Sequence, residues 1–297
     1  MIVVSLFNGM NTGRQALENC GFKVDKYYSS EIKPYAIELT QHHFPDTIQV
    51  GDVTKWRYWD IDWSKVDLIL SGSPCQDLSG AGKRDGINGN KSSLFFIFIE
   101  ILEHIKTLNP KVLFFQENVG SALKKDIGIM SRALGVYPVR INSELLVAAS
   151  RDRYYWTNIK TKETMFDIVT DIPMPKDKGI TFQSVLTSGT TNRNKSTAIM
   201  ERYHGSFFKD ENADNAQKYL LSRDEIGMCP IALEPNGKVR TLNKTEMCRL
   251  QGFPDNYCDI LSRKDAASLL GDGWTLPVIE HIFKHIAYTQ ERGKILS

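Results

Sequence analysis

Short apolar runs alternate with helical patterns along the first half of the chain. Five runs predict buried strands: Ile2–Phe7, Val24–Ser29, Thr47–Val50, Asp67–Leu70 and Val112–Phe115. Three helical patterns lie between them, at Thr12–Cys20, Pro34–His43 and Ser92–Leu108. Alternation of strands and helices at these lengths is typical of an α/β protein with a doubly wound, mostly parallel sheet.

Polar or glycine-rich segments follow the predicted strands. They include the glycine-rich turn at residues 7–13 and the side chains of Glu31, Asp52, Cys75 and Glu117. Ligands of such sheets bind beyond the carboxyl ends of the strands. We therefore expect the functional site at this edge of the sheet.

The second half loses this regularity. Residues 161–239 are rich in Thr, Ser, Asn, Asp and Lys and have poor periodicity, which predicts a second, smaller and irregular domain. Regular pattern returns at Thr241–Leu250, Asp265–Leu270 and Pro277–Ala287. We predict one domain from residues 1–160 with 263–297, and the smaller one from residues 161–262.

Composition narrows the class of protein. The chain has 297 residues, 41% hydrophobic and 24% charged, which excludes global disorder. The net charge of +2 does not by itself indicate a polyanionic partner. Such a partner could still bind a local basic groove on a nearly neutral protein. The longest apolar stretch, Leu94–Leu102, is too short for a membrane span and contains Glu100, so no membrane partner is expected.

The cysteines favour a reducing compartment. There are five, an odd and scattered set, and the N-terminus lacks a basic region before its apolar run, so we expect neither disulfides nor a signal peptide. No Cys-x-x-Cys pair occurs, and no metal site is predicted.

The glycine-rich turn and two acids suggest a nucleotide site. The turn lacks the full spacing of the dinucleotide fingerprint, and by itself it is better explained as an ordinary tight turn. Glu31 could accept hydrogen bonds from both ribose hydroxyls, and Asp52 from an adenine amino group. Each acid, taken singly, is explained as well by a solvated loop.

Cys75 follows a strand within Ser73-Pro74-Cys75-Gln76. A thiol with an unperturbed pKa of about 8.5 needs a site that favours its thiolate before it can act as a nucleophile. The sheet edge, with its backbone N–H groups, offers such a site. A buried structural cysteine is the alternative, and it suits the other four: Cys20, Cys229, Cys248 and Cys258.

Glu117 and two arginines complete the candidate chemistry. A glutamate at a buried strand end is costly unless it is used, and Glu117 could donate a proton to a substrate ring. In a strand, Arg151 and Arg153 would point to the same face and could hold a phosphate or a base carbonyl. Surface salt bridges are the alternative.

Seven motifs follow one another in order: Phe7-x-Gly9, Glu31, Gly51-Asp52-Val53, Pro74-Cys75-Gln76, Glu117-Asn118-Val119, Arg151-x-Arg153 and the run from Arg240 to Pro254. This set resembles the DNA (cytosine-5-)-methyltransferases and covers nearly the whole chain. Pro-Cys-Gln and Arg-Leu-Gln-Gly-Phe-Pro are its most specific parts. The wording is closest to the animal de novo branch and to small bacterial or phage members.

The resemblance implies a Rossmann-like fold that uses S-adenosyl-L-methionine, with a smaller target-recognition domain. A cytosine flipped out of double-stranded DNA would be methylated at carbon 5. Cys75 would attack carbon 6 and Glu117 would hold ring nitrogen 3. Arg153 would contact the base carbonyl, Arg151 would support the phosphate, and Asn118 would order the Cys75 loop.

The resemblance also implies two sets of binding residues. Those for the cofactor would be Phe7, Gly9, Asn11, Thr12, Glu31, Ile32, Asp52, Val53, Ser73, Pro74 and Trp274, the last covering it. Those for DNA would be Gln76, Ser79, Asn192, Arg193, Asn194 and Lys195. The last four lie in the loop Gly189–Thr197, for which a solvated loop is an equal alternative.

The pattern departs from the family in the cofactor turn, where Asn8 replaces the usual Asp and Asn11 a frequent glycine. A tRNA-directed relative with the same chemistry is the nearest alternative, although its Cys-Phe-Thr motif is absent. An inert DNA-binding relative is disfavoured by the presence of Cys75 and Glu117, and a nicotinamide oxidoreductase by the glycine spacing. We expect a cytoplasmic location in a prokaryote or phage and a nuclear one in a eukaryote, and a homo-oligomer is compatible with the sequence.

Overall fold

The computed structural model describes residues 1–74, 94–199 and 230–286, together with the backbone of residues 288–289 and 294–295. The chain divides into two compact units. Unit 1 comprises Met1–Ile141, Asp152–Met174 and Ile279–Ser297; unit 2 comprises Asn142–Arg151 and Pro175–Val278. The functional domains predicted above, 1–160 with 263–297 and 161–262, stay a prediction.

A seven-stranded sheet forms the centre of unit 1. Its strands are β1 (Ile2–Leu6), β2 (Lys26–Ser30), β3 (Ile48–Gln49), β4 (Leu68–Ser71), β5 (Leu113–Val119), β6 (Val139–Asn142) and β7 (Asp152–Thr157). Their order is β3-β2-β1-β4-β5-β7-β6. The pairs along β3-β2-β1-β4-β5 are parallel, whereas β7 runs antiparallel to β5. This topology confirms the predicted doubly wound, mostly parallel sheet.

A helix follows each of the strands β1, β2, β4 and β5. These helices are α1 (Thr12–Asn19), α2 (Pro34–His43), α3 (Leu94–Leu108) and α4 (Lys124–Leu134). In α3 the buried positions recur every three or four residues, at Phe95, Phe98, Ile101, Leu102 and Ile105, so one face of the helix packs into the core. Burial of each such side chain contributes about 1.5–3 kcal/mol.

Most predicted elements occur where the pattern placed them, and α2 has the predicted bounds. One strand differs. The run Val112–Phe115 was expected to end before Glu117, but β5 continues to Val119. The reason is that β7 pairs with β5 as far as Val119, which extends the hydrogen-bonded ladder. Glu117 and Asn118 are therefore strand residues. The predicted start of α3 at Ser92 lies outside the described residues.

A short hairpin in unit 1 follows β7; its strands are β8 (Thr161–Glu163) and β9 (Ile168–Thr170). Unit 2 contains α5 (Phe182–Val185), the antiparallel strands β10 (Ile231–Leu233) and β11 (Val239–Thr241), and the helices α6 (Lys244–Gln251) and α7 (Arg263–Asp272). Helix α8 (Leu276–Phe283) begins in unit 2, and the strands β12 (Tyr288–Thr289) and β13 (Lys294–Ile295) end the chain in unit 1.

Helix α6 is defined at both ends by its sequence. Asn243 caps its first turn and Glu246 returns the hydrogen bond, a complete capping box. Gly252 ends the helix with φ +78°, and a Cβ atom there would lie 2.3 Å from Cδ of Pro277. Gln251, which precedes it, is fully buried and bonds to the carbonyl of Leu270. The Arg-Leu-Gln-Gly-Phe-Pro motif is thus a structural element of unit 2.

No helix among the described residues combines the length and the apolar character that a membrane span needs.

Candidate active site

The carboxyl ends of five parallel strands meet at one edge of the sheet in unit 1. In the order β3, β2, β1 and β4, the strands lead at this edge to Asp52, Glu31, the turn Phe7–Asn11 and the segment Ser73–Pro74. The last residues of β5 lie at the same edge. Neighbouring strands lie about 4.8 Å apart, so the five segments form one continuous row. The structure thus brings together the described part of the predicted site that belongs to unit 1.

The turn between β1 and α1 has an unusual backbone. Phe7, Gly9 and Asn11 have φ values of 55°, 58° and 64°. This left-handed region is costly for a residue such as Phe7 and persists only where the surroundings enforce it. The buried side chain of Asn8 helps to hold this conformation, because it contacts Thr40 and accepts a hydrogen bond from the hydroxyl of Tyr27.

Glu31 connects the end of β2 to this turn. Its Oε2 atom accepts a hydrogen bond from the backbone N–H of Gly9 at 2.8 Å. Its Oε1 atom accepts two more, from the N–H groups of Ile32 and Lys33 at 2.7 and 2.9 Å. These bonds fix the carboxylate. A carboxylate offers about four acceptor positions, so Glu31 retains capacity for a ligand.

Asp52 caps the 3₁₀ helix Val53–Tyr58 at the end of β3. Its Oδ1 atom accepts hydrogen bonds from the backbone N–H and the hydroxyl of Thr54, both at 2.9 Å. These bonds lower the pKa of Asp52 below its usual value. Asp52 is therefore a hydrogen-bond acceptor at neutral pH, as the sequence-based assignment requires.

Several buried polar atoms at this edge have no hydrogen-bond partner among the described residues. Both amide atoms of Asn11 belong to this group, as do the hydroxyls of Ser29 and Ser71. Asn11 is fully buried and does not cap α1 through its side chain. Buried polar groups are nearly always satisfied, so an amide that keeps a donor and an acceptor unused suits a ligand that offers both.

Glu117 of β5 forms an ion pair with Arg153 of β7. Oε1 of Glu117 lies 2.9 Å from Nε of Arg153, and the two side chains are 12% and 19% exposed. The register explains the contact: Glu117 pairs with Tyr155 and Val119 with Arg153, which makes Glu117 and Arg153 diagonal neighbours on one face. Their desolvation strengthens the attraction.

The segment that leads to the candidate nucleophile lies beside β5. Ser73 is buried, and its hydroxyl accepts a hydrogen bond from Nε2 of Gln116 at 3.0 Å. Nδ2 of the buried Asn118 has no partner among the described residues. Cys75, Gln76 and Ser79, which were predicted from the sequence, lie outside the described residues.

Arg151 and Arg153 differ in their surroundings. The expectation that both lie in one strand is wrong, because β7 begins at Asp152. The guanidinium of Arg151, which belongs to unit 2, donates to the carbonyls of Gly271 and Gly273 at 2.6 and 2.8 Å. Arg151 therefore holds the carboxyl end of α7, where carbonyl groups lack helical partners. The predicted phosphate contact of Arg151 stays a prediction.

Trp274 follows this carboxyl end directly, in unit 2, and is half-buried. Its predicted role as a cover for the cofactor stays a prediction.

The loop Gly189–Thr197 of unit 2 is partly committed to internal contacts. The ammonium group of Lys195 donates to the carbonyls of Glu144, Val147 and Ile180 at 2.5, 3.1 and 2.6 Å. An ammonium has three N–H donors, so these contacts favour a structural role for Lys195. Asn192 and Asn194 are exposed, and Arg193 is half-buried.

Two features of the described structure were missed by the sequence-based reasoning. Gln116 directly follows the apolar run Leu113-Phe114-Phe115. A polar residue at this point of a buried strand is the signal that could have indicated its contact with Ser73. Glu246 is fully buried and accepts hydrogen bonds from Arg240, Thr187 and Asn243, which lower its pKa. In the sequence, Glu246 stands within Arg-x-Leu-x-x-x-Glu, part of the last motif that carries the resemblance.

The described residues contain no group of three or more His, Cys, Asp or Glu side chains that could hold a metal ion. His281, for example, contacts the carbonyl of Pro173 at 2.7 Å.

The sequence is similar to a known protein family and to individual relatives. A family model described as C-5 cytosine-specific DNA methylase matches residues 1–137 and 149–288. The type II methyltransferase M.HpaII of Haemophilus parainfluenzae is 27% identical, over 95% of this chain and 88% of that protein. The type II methyltransferase M.NgoBV of Neisseria gonorrhoeae is 33% identical over 84% of this chain and 65% of its own length.

Two solved structures share the fold. The Entamoeba histolytica methyltransferase EhMeth is similar with a TM-score of 0.66 and 17% identity, over 96% of this chain and 97% of that one. A DNMT2 mutant from Spodoptera frugiperda has a TM-score of 0.62 and 19% identity, over 96% of this chain and 98% of that one.

Proposed function

Because the chain belongs to the C-5 cytosine-specific DNA methylase family, we propose that it transfers a methyl group from S-adenosyl-L-methionine to carbon 5 of a cytosine in double-stranded DNA. The observation that carries this proposal is the ion pair between Glu117 and Arg153. Glu117 lies in β5 next to Gln116, whose side chain contacts Ser73, two residues before Cys75 in the sequence. This arrangement supplies a polar clamp for a pyrimidine ring.

The segments that follow β1, β2, β3 and β4 at this edge of the sheet would bind the cofactor. These are the turn with Phe7, Gly9, Asn11 and Thr12, followed by Glu31, Ile32, Asp52, Val53, Ser73 and Pro74. The residues fit the group: the carboxylate of Glu31 can accept from a ribose hydroxyl, and that of Asp52 from the adenine amine. The unused amide of Asn11 suits polar groups of the same ligand. S-adenosyl-L-methionine supplies an electrophilic methyl group on its sulfonium.

Glu117 and Arg153 would bind the target base. A cytosine must leave the helical stack before its ring carbons become accessible, at a cost of a few kcal/mol. The Glu117 carboxyl group would then hold ring nitrogen 3 and the exocyclic amine, while the Arg153 guanidinium contacts the carbonyl oxygen. The ion pair keeps both groups in place before the base arrives, which reduces the entropy that base binding must offset.

Cys75 would act as the nucleophile. Its thiolate forms a bond to carbon 6 of the cytosine, and the ring electrons that this addition displaces make carbon 5 nucleophilic. Glu117, in its protonated form, would donate its carboxyl proton to nitrogen 3 and so offset the negative charge that develops there. After carbon 5 has gained its methyl group, a base removes the proton from carbon 5 and the bond between carbon 6 and sulfur breaks, which restores the ring and the thiolate.

Unit 2 would read the DNA sequence. Asn192, Arg193 and Asn194 are amide and guanidinium side chains of the kind that bond to base edges, and they lie in an accessible loop. Gln76 and Ser79, close in sequence to the nucleophile, would contact the DNA near the flipped base. Residues 161–239 carry ten Lys and Arg against eleven Asp and Glu, so attraction to phosphates would contribute little to the binding by this region.

Labelled methyl transfer to duplex DNA tests the proposal. The wild-type protein should transfer methyl groups to DNA, Cys75→Ala should transfer none, and Cys20→Ala should retain the wild-type rate. Cys20 is a suitable control because it is a half-buried free thiol whose pKa burial raises to about 11. Transfer to transfer RNA with none to DNA would contradict the proposed substrate.

DNA that contains 5-fluorocytosine tests the covalent step, because the fluorine at carbon 5 blocks the elimination. A stable, denaturant-resistant adduct should form and should map to Cys75. A full rate of methyl transfer by Cys75→Ala, or an adduct at another residue, would refute the assignment of the nucleophile.

A further inference from the structure

Gln116 touches both segments that carry the proposed chemistry in unit 1. It lies in β5 directly before Glu117 and pairs with Ser71 of β4. Its Nε2 atom donates to the hydroxyl of Ser73 at 3.0 Å and to the backbone carbonyl of Glu117 at 2.7 Å. Both hydrogens of this amide group are thus used, one in the bond to Ser73 and one in the bond to the backbone of Glu117.

The orientation of this amide follows from its partners. A backbone carbonyl can only accept, so the atom of Gln116 that faces the carbonyl of Glu117 must be the NH₂ nitrogen. The same nitrogen then donates its second hydrogen to Ser73. Gln116 is fully buried and Ser73 is 4% exposed, so water does not compete for these bonds.

The strand geometry assigns separate tasks to successive residues of β5. Side chains alternate between the two faces of a strand, so those of Gln116 and Asn118 point to one face and that of Glu117 to the other. The Glu117 side chain faces Arg153, while Gln116 reaches the end of β4. The amide of Gln116 therefore links the backbone of Glu117, which would bind the base, to Ser73, which stands two residues before Cys75 in the sequence.

We propose that Gln116 is a positioning residue for the methyl-transfer reaction. Its amide holds Ser73, and with it the entry to the Cys75 segment, at a fixed place relative to Glu117. The inference rests on the proposed function. An error of about 1 Å in such a placement can reduce a rate about 100-fold, even when both reacting groups are intact.

Four variants of the full chain test this role. Gln116→Met keeps the length of the side chain and removes the amide. Ser73→Ala removes only the hydroxyl that accepts, and Ser73→Thr restores it. Gln41→Met is the matched control, because the Gln41 amide also donates to a backbone carbonyl, that of Thr47 at 2.9 Å, from α2.

The measurement is the single-turnover rate of adduct formation on 5-fluorocytosine DNA, at saturating DNA and S-adenosyl-L-methionine, with both dissociation constants determined separately. We expect Gln116→Met to slow the adduct about 10- to 100-fold, with both dissociation constants within threefold of wild type. Ser73→Ala should slow it at least fivefold and Ser73→Thr should recover most of the rate. Gln41→Met should stay within twofold.

The double variant Gln116→Met with Ser73→Ala should be no slower than the slower single variant, because both changes remove the same contact. Effects that multiply, or a Gln116→Met rate within twofold of Gln41→Met, would overturn the inference. If Gln116→Met fails to fold, a wild-type rate in Ser73→Ala overturns it alone. A wild-type protein that neither forms the adduct nor transfers methyl groups would instead refute the proposed function, and the inference with it.

Discussion

Oε1 of Glu117 and Nε of Arg153 lie 2.9 Å apart, on neighbouring antiparallel strands of the central sheet. Both side chains are largely buried, and each belongs to a strand rather than a loop. The spacing between the two groups is therefore fixed by the β-ladder. A carboxyl and a guanidinium held in this way can contact one planar ring without first being ordered.

Replacement of Arg153 should therefore reduce catalysis more than it reduces folding. Arg153→Lys keeps the charge but loses the planar fork of donors, and we expect kcat/KM for methyl transfer to fall about 100-fold. Steady-state kinetics on duplex DNA measure this effect. Arg140→Lys is the control, because Arg140 forms an exposed ion pair with Asp152 and such pairs contribute about 0–1 kcal/mol. Equal losses of kcat/KM in the two variants would contradict the proposed role of Arg153.

The row of candidate residues could be predicted because it depends on local pattern. Alternating strands and helices imply parallel strands, and parallel strands place their carboxyl ends at one edge. The turn at residues 7–13, Glu31, Asp52 and Glu117 were found in this way. The prediction required only that each strand be recognised, not that its neighbours be known.

Contacts between distant parts of the chain could not be predicted. Arg151 bonds to carbonyls that lie 120 and 122 residues away, and the three carbonyls around Lys195 come from two separate segments, one with Glu144 and Val147 and one with Ile180. Backbone carbonyls carry no sequence signal, since every residue has one. An arginine or lysine that binds them looks the same in the sequence as one that binds a phosphate.

Lys195 provides a test of this distinction. If its ammonium is held by three carbonyls, Lys195→Met should lower the free energy of unfolding by about 2 kcal/mol, because hydrogen bonds to charged groups are among the stronger ones. The salt dependence of DNA binding should stay unchanged, since no phosphate contact is lost. Denaturation in urea and binding at several salt concentrations measure the two effects. Lys176→Met, at an exposed position, should change neither the free energy of unfolding nor the salt dependence. A weaker salt dependence with unchanged stability would instead assign Lys195 to the DNA.

Glu246 should make the stability of unit 2 depend on pH. Its carboxylate is fully buried, and hydrogen bonds from Arg240, Thr187 and Asn243 lower its pKa in the folded chain, despite the opposing effect of burial. A lowered folded pKa means that the stabilisation is complete above the unfolded value of about 4.3 and is lost as the pH falls below it.

Glu246→Gln removes this charge. We expect it to lower the free energy of unfolding by about 3 kcal/mol at pH 7, because it leaves Arg240 without its buried partner, and by less as the pH falls below about 4.3. Urea denaturation at a series of pH values measures the difference. Glu234→Gln, which changes a more exposed partner of Arg240, should have a smaller effect. A difference between Glu246→Gln and wild type that does not depend on pH would contradict the ion-pair explanation.

Gly252 and Gly21 separate the cost of a backbone conformation from the cost of a steric clash. Both have positive φ, +78° and +84°, and both follow a helix. A Cβ atom at Gly21 would meet nothing within 4 Å, whereas one at Gly252 would lie 2.3 Å from Cδ of Pro277. Gly21→Ala should therefore lose about 1 kcal/mol of unfolding free energy through its backbone alone. Gly252→Ala should lose about 1–3 kcal/mol more, because the ring of Pro277 or the end of α6 must shift. Thermal and urea denaturation of the two variants measure the difference. Equal losses of unfolding free energy would show that the packing of Pro277 does not require a glycine at position 252.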